Sequence, residues 1–209
     1  GEISVYSPVT TFTTACAPMA LPYNENFDSY GTGTTAYPDC WRKINNNTSL
    51  PYIYSMSAST GLTLPGALYM YTTATTKYAY AILPEFDAEL NTLQMSFAFK
   101  AAMGNGYFLE VGVLEDLSDT SSFVLVETIE PRTAVWNSFT VAFTGYEGTG
   151  KYIAIRSQRE NATNTCYIDN LVVDYAPGCV APMHLEAENL TTTTADLTWR
   201  PGRDENEWI

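Results

Sequence analysis

Apolar residues recur at every second position, or in short unbroken runs, through much of this chain. "LQMSFAFKA" (93–101), "YFLEVGVLE" (107–115), "SFVLVETI" (122–129), "WNSFTVAF" (136–143) and "KYIAIRS" (151–157) each carry the two-residue period of a β-strand. Between and around them stand the turn signals "SYGTG", "INNNTS", "MGNG", "GYEGTG" and "QRENATN". No amphipathic helical pattern lasts beyond two turns. Short strands punctuated in this way predict an all-β protein, a sandwich or jelly roll.

One strand breaks its own pattern. "TCYIDNLVVDY" (165–175) is apolar except for Asp169 and Asn170 at its centre. In a regular strand Tyr167, Asp169, Leu171 and Val173 share one face, while Ile168, Asn170 and Val172 share the other. Whichever face is buried then carries a polar group, and an unpartnered buried amide or carboxylate costs about 1–3 kcal/mol or more. A partner is therefore expected. One candidate is calcium, which takes about six to eight oxygen ligands. The acidic segment "YNENFDSY" offers Glu25 and Asp28, and these could share one ion with Asp169 if the first and last strands of the body lie side by side. The plainer alternative is that Asp169 caps a bulge or pairs with Arg42, Lys43 or Arg156.

The pattern also divides the chain. A Thr-rich extended lead-in covers 1–15, the β-rich body 16–175, and the linker "APGCVAP" opens a stretch assigned to 176–183, where prolines and a glycine interrupt any ladder. Residues 184–209 alternate as two short strands joined by a turn. "CAPMALPY" in the body and "CVAPMHLEA" near the tail share a pattern too short to count as a repeat. A pair of strands is marginal alone in water, so the tail is expected to dock on the body or on a neighbouring molecule.

Composition supports a packed β domain: among 209 residues 45% are hydrophobic, 13% aromatic and 16% charged, with fifteen Tyr. The net charge of −13 with only ten Lys and Arg argues against nucleic acid. No transmembrane run or lipidation motif is present. The opening "GEISV" lacks Met, so the missing leader says nothing about secretion, and a piece of a longer protein is the expected origin. Cys16, Cys40, Cys166 and Cys179 contain no CxxC pair and His184 is the single histidine, which disfavours zinc. Either two disulfides or one with two free thiols is expected, in an oxidising compartment. The pairing put forward is Cys40 with Cys166 and Cys16 with Cys179, each joining an early segment to a late one.

Several motifs tempt and fail. "GYEGTGK" (145–151) has phosphate-loop spacing, but Tyr152 stands where a Ser or Thr should bind magnesium and a strand follows where a helix should; a Gly-rich hairpin turn explains it. His184 lacks a G-x-S-x-G partner. Glu25, Asp28, Glu85, Asp87, Glu110, Glu115, Asp116 or Asp169 could converge as glycosidase carboxylates, but no spacing singles out a pair. Tyr52 with Tyr54, Tyr69 with Tyr71 and Tyr78 with Tyr80 each share a strand face. They read as packing pairs or as stacking platforms for sugar rings, while Trp41 and Trp136 read as core.

The succession "LPYNENFDSY", "PDCW", "YAYAILPEF", "LQMSFAFKA", "YFLEVGVL", "FVLVETI", "WNSFTVAFTGYEGTGKYIAIRS" and "CYIDNLVV" resembles the cleaved-adhesin and choice-of-anchor domains of Bacteroidetes surface proteins. These are relatives of gingipain adhesin domains and, more distantly, of MAM domains. The resemblance covers residues 16–175 and implies a jelly-roll β-sandwich like carbohydrate-binding modules or concanavalin- and galactose-binding-like domains. It also implies structural calcium, with Glu25, Asp28 and Asp169 as ligands, and a place outside the cell or on the bacterial outer surface. Cys40 stands before Trp41 where the family often has Gly, which points to a disulfide of this branch. The tail resembles the opening of a fibronectin type III domain, with Trp199 inward and "NEWI" beginning a further strand; a whole domain of that kind needs about 100 residues.

The function expected is a non-catalytic adhesion module, calcium-stabilised, binding glycan or host extracellular protein through Tyr52, Tyr54, Tyr69 and Tyr71, alongside other domains of its parent chain and without inserting into a membrane. Two alternatives remain open: a glycosidase using two carboxylates, and a structural spacer attached to a secreted peptidase or glycoside hydrolase.

Overall fold

The computed structural model describes residues 15–46, 51–72, 78–102, 107–130, 134–158, 163–180 and 182–202. The lead-in over 1–14, the turn "MGNG", the segment "NEWI" and the side chain of His184 lie outside them. The strands are β1 (Tyr23–Glu25), β2 (Arg42–Asn45), β3 (Tyr52–Ser55), β4 (Gly66–Thr72), β5 (Tyr78–Ile82), β6 (Leu93–Ala101) and β7 (Leu109–Asp116). They continue with β8 (Asp119–Ile129), β9 (Asn137–Ala142), β10 (Tyr152–Gln158), β11 (Asn164–Tyr175), β12 (Met183–Glu188) and β13 (Asp196–Arg200). One sheet runs β3-β4-β11-β6-β9 with β1 also on β11, and the other runs β2-β5-β10-β7-β8. The body is a jelly-roll β-sandwich.

The inward positions predicted by the two-residue period meet between the sheets. Leu68, Met70, Met95, Phe97, Phe99 and Ile168 from the first pack with Val111, Val113, Ile153 and Ile155 from the second, all buried. Each such side chain contributes about 1.5–3 kcal/mol of hydrophobic stabilisation. The outer face of the second sheet has a smaller apolar cluster of Tyr80, Ile82, Leu114 and Ala154. Beside it Arg156 binds Glu110 at 2.6 Å, in register between β10 and β7.

The strand β11 is not regular. Its ladder with β6 shifts between Asp169 and Val172, and Asn170 sits at φ 48°, a left-handed conformation that Asn tolerates well. The bulge switches which residues face the core. Cys166 and Ile168 point inward before it, Leu171 and Val173 after it. Tyr167 therefore faces outward and does not share a face with Leu171 and Val173, contrary to the expectation from strict alternation. The same edge of β11 changes partner here: β4 ends its pairing at Ile168 and β1 begins at Leu171. First and last strands of the body do lie side by side.

The expected disulfides are corrected. Cys16 bonds Cys40, with Cα atoms 5.8 Å apart, while Cys166 and Cys179 form no disulfide. Cys166 faces the core from the middle of β11, whereas Cys40 lies in the segment just before β2 of the opposite sheet, so no bridge forms between them. Cys40 has φ 65°, the left-handed region that explains the glycine common at this place in the resembling family. The "GYEGTGK" segment is also corrected: β9 belongs to the first sheet and β10 to the second, so it crosses between sheets instead of closing a hairpin. It folds around Tyr146, whose hydroxyl donates to Glu115 at 2.7 Å and accepts from Gly150 N at 2.8 Å.

In the tail β12 and β13 form a separate two-stranded sheet. Its base meets the body where Thr144 Oγ1 donates to the Gly202 carbonyl at 2.5 Å, beside buried Val180. Leu185, Leu190 and Leu197 remain exposed, and Trp199, expected inward, is 38% exposed.

Candidate functional site

At the bulge, both oxygens of Asp169 are taken up by protein donors. Thr63 N donates to Oδ2 at 3.0 Å, Thr63 Oγ1 lies 2.9 Å from each oxygen, and Asn170 N donates to Oδ1 at 2.7 Å. Asp169 is fully buried, which answers the sequence puzzle: it caps the bulge and pairs with none of Arg42, Lys43 or Arg156 in these contacts. Burial pushes its pKa above the usual carboxylate range against these hydrogen bonds, and the charge of Asp28 adds to the rise. Asp28 Oδ1 accepts from Gly66 N at 3.1 Å, at the start of β4. Only glycine fits there, since a Cβ at Gly66 would stand 2.6 Å from both the Phe27 carbonyl oxygen and the Ile53 side chain.

Glu25 does not join this pair. Its Oε1 accepts from Phe27 N at 2.7 Å, and its Oε2 accepts from the hydroxyls of Tyr30 at 2.7 Å and Tyr23 at 3.4 Å. Trp41 Nε1 donates to the Tyr23 hydroxyl at 2.7 Å. Burial, with the nearby Glu25 charge, pushes the Tyr23 phenol up to about 12 even though the Trp41 hydrogen bond works against the rise. For calcium the fit is thus partial. Asp28 and Asp169 are close enough for their charges to interact, and a divalent ion between them would relieve that repulsion, with the remaining oxygens coming from backbone or water. Among the described residues no three His, Cys, Asp or Glu side chains gather around one point.

The loop over 56–65, between β3 and β4, ties this junction to the outer face of the first sheet. Asp169 holds it at Thr63, and a second pair holds it at Thr60, whose carbonyl accepts from Lys100 Nζ at 3.1 Å and Trp136 Nε1 at 3.0 Å. Beside this loop lies a field of tyrosines. Tyr52 on β3 pairs in register with Tyr69 on β4, Tyr69 with Tyr167 on β11, and Tyr167 with Lys100 on β6. Ring centroids are 5.1 Å apart for Tyr52 and Tyr69, 5.2 Å for Tyr69 and Tyr167, and 5.1 Å for Tyr54 and Tyr69. Tyr71 stacks on Tyr69 at 6.0 Å with an interplanar angle of 7°.

Their hydroxyls set these five apart from the tyrosines that are built into the protein's own hydrogen bonds. Tyr23, Tyr30, Tyr37, Tyr80 and Tyr146 all bond through theirs to the protein. Among the described residues no protein group pairs with the hydroxyls of Tyr52, Tyr54, Tyr69, Tyr71 and Tyr167, and Tyr54 is 41% exposed. Burial, reinforced by neighbouring phenols, raises the pKa of Tyr52, Tyr69 and Tyr167, so they remain neutral donors.

Of the predicted platform residues, all four meet on one face. Tyr167 and Lys100 continue this face without a signal in the sequence, and Trp136, expected in the core, sits beside Lys100 and bonds the Thr60 carbonyl. Tyr78 and Tyr80 instead serve the apolar cluster of the other sheet. Three carboxylates that a glycosidase could use are engaged: Glu110 with Arg156, Glu85 with Lys151 at 2.6 Å, and Glu115 with Tyr146. Two clefts, one lined by Glu85, Glu89, Tyr146 and Lys151 and another by Val124, Leu125, Thr144 and Gly202, include none of Tyr52, Tyr54, Tyr69, Tyr71 and Tyr167. An open aromatic face suits an extended ligand better than a small molecule, which needs a concave pocket.

Fold and face together define a jelly-roll β-sandwich with an open aromatic face on one sheet. Among solved structures the chain is similar to a cleaved adhesin domain of Lys-gingipain, with TM-score 0.58 and 15% identity over 75% of this chain and 99% of that one. A second such domain, from Porphyromonas gingivalis, aligns with TM-score 0.54 and 16% identity over 74% and 98% of the two chains. A family 61 carbohydrate-binding module in complex with β-1,4-galactotriose follows at TM-score 0.49 and 11% identity, over 73% and 99%. At these identities the likeness is one of fold. No protein-family model matches the chain, and no curated protein matches it. Among the described residues no helix is long and apolar enough to cross a membrane.

Proposed function

We propose that this chain is a non-catalytic glycan-binding module of an extracellular or surface-exposed protein. The observation that carries the reading is the field of five touching tyrosines whose hydroxyls no described protein group uses. A sugar ring has an apolar face of C–H groups and a rim of hydroxyls. A tyrosine offers the complement, a ring face for the first and a phenolic O–H for the second. Calcium between Asp28 and Asp169 would hold the bulge and the loop over 56–65 in place, a structural role and not a chemical one. The tail, read as the start of a fibronectin type III-like domain, would join the module to other domains of its parent chain.

The test is a glycan array and a panel of host matrix proteins, each run with calcium and with EDTA, using the wild-type chain and Tyr69→Ala. The expected result is binding to a defined glycan, lost in Tyr69→Ala and weakened by EDTA. Binding to a matrix protein that Tyr69→Ala leaves unchanged would move the function to protein adhesion through another surface.

A further inference from the structure

The glycan reading leaves the chemical class of the sugar open, and the far end of the tyrosine row supplies it. Tyr52, Tyr69, Tyr167 and Lys100 hold one register position on four adjoining strands. With strands about 4.8 Å apart, the row runs about 14 Å across the sheet, on the scale of a short oligosaccharide. Its rings are inclined, by 63° between Tyr52 and Tyr69 and 39° between Tyr69 and Tyr167. Such a track suits a single chain that turns from unit to unit and not the flat surface of a crystalline polymer.

Lys100 ends the row with a positive charge. Its ammonium lies 5.9 Å from the Trp136 ring centroid and donates to the Thr60 carbonyl, which uses one of three donors. Among the described residues no carboxylate pairs with it, whereas Lys151 pairs with Glu85 and Arg156 with Glu110. In a chain of net charge −13, this one face is cationic at its end. Distant negative charge is screened within about 10 Å at ordinary ionic strength, and the nearby Asp169 is buried with both oxygens bonded to Thr63 and Asn170, so the ammonium is the charge this end of the face presents.

Resting on the glycan reading, we propose that Lys100 determines specificity and that the platform takes an acidic polysaccharide. The sugar rings lie over Tyr52, Tyr69 and Tyr167, and a uronate carboxylate or a sulfate ester meets the Lys100 ammonium.

Titration calorimetry on the intact chain tests this with polygalacturonate and alginate for carboxylate, heparin for sulfate, and dextran and a mixed-linkage β-glucan as neutral polymers. The expected result is binding to one acidic polymer about tenfold tighter than to either neutral one, weakening as salt rises. Lys100→Gln should lose about tenfold on that polymer, and Lys100→Arg should retain most of it, both melting as the wild type does. The salt dependence of the wild type stands even if a variant folds poorly. Neutral polymers bound as tightly as acidic ones, with no salt dependence and no effect of Lys100→Gln, would overturn the acidic specificity and leave the glycan reading intact. Silence on every polymer would overturn the glycan reading itself.

Discussion

Two populations of tyrosine coexist in this chain, and their hydroxyls tell them apart. Tyr23 and Tyr146 are structural: one accepts from Trp41, the other bridges Glu115 and Gly150. Mainly through burial, both phenols are raised from 10.0 to about 12. In the unfolded chain these groups release their protons near pH 10, while the fold keeps them until about pH 12. Between those values the unfolded state binds fewer protons, so stability falls as pH rises. Urea unfolding midpoints followed from pH 9 to 12 should decline across that window; a flat profile would contradict the assignment. At the same scale Asp169→Ala leaves Thr63 N and the bulge amide of Asn170 without their acceptor. A loss of about 1–3 kcal/mol is expected in denaturant unfolding, with Asp169→Asn losing less.

The elements show why some of this was legible in the sequence. A two-residue period needs only local information, and it placed "LQMSFAFKA" on β6 without error and put Tyr52 with Tyr54 and Tyr69 with Tyr71 on common faces. Register is not local. That Tyr167 and Lys100 continue the row of Tyr52 and Tyr69 depends on which strands adjoin and how they slide, which no segment states by itself. The bulge at Asp169 has the same character. Its polar pair was visible as an anomaly, but the switch in facing that turns Tyr167 outward follows from the junction where β4 hands over to β1. Sequence proximity to Asp28 suggests Glu25 as its neighbour at an ion, but gives no sign of the three donors its carboxylate takes from Tyr23, Phe27 and Tyr30. The loop over 56–65 depends on that junction too. Freed from Asp169 in Asp169→Ala, it should expose more surface, seen as faster hydrogen exchange at Thr60 to Leu64 with the core of β6 unchanged.

For the whole molecule, the sandwich supplies a rigid sheet and the Cys16–Cys40 bond pins the segment before β1 to the turn before β2. With the two cysteines 24 positions apart in sequence, chain-entropy arguments give about 3 kcal/mol of stabilisation. Cys16→Ser with Cys40→Ser should lower the unfolding midpoint accordingly, whereas Cys179→Ser at the exposed free thiol should not. On that sheet the tyrosine face draws on β3, β4 and β11, with Lys100 of β6 at its end, and the proposed role of these tyrosines is to hold a glycan. The most direct measurement is the affinity of the wild type, Tyr69→Ala and Tyr167→Ala for a glycan retained on the array. Each variant should lose about tenfold or more while melting close to the wild type; equal affinity in all three would show that the tyrosine face is not the binding site.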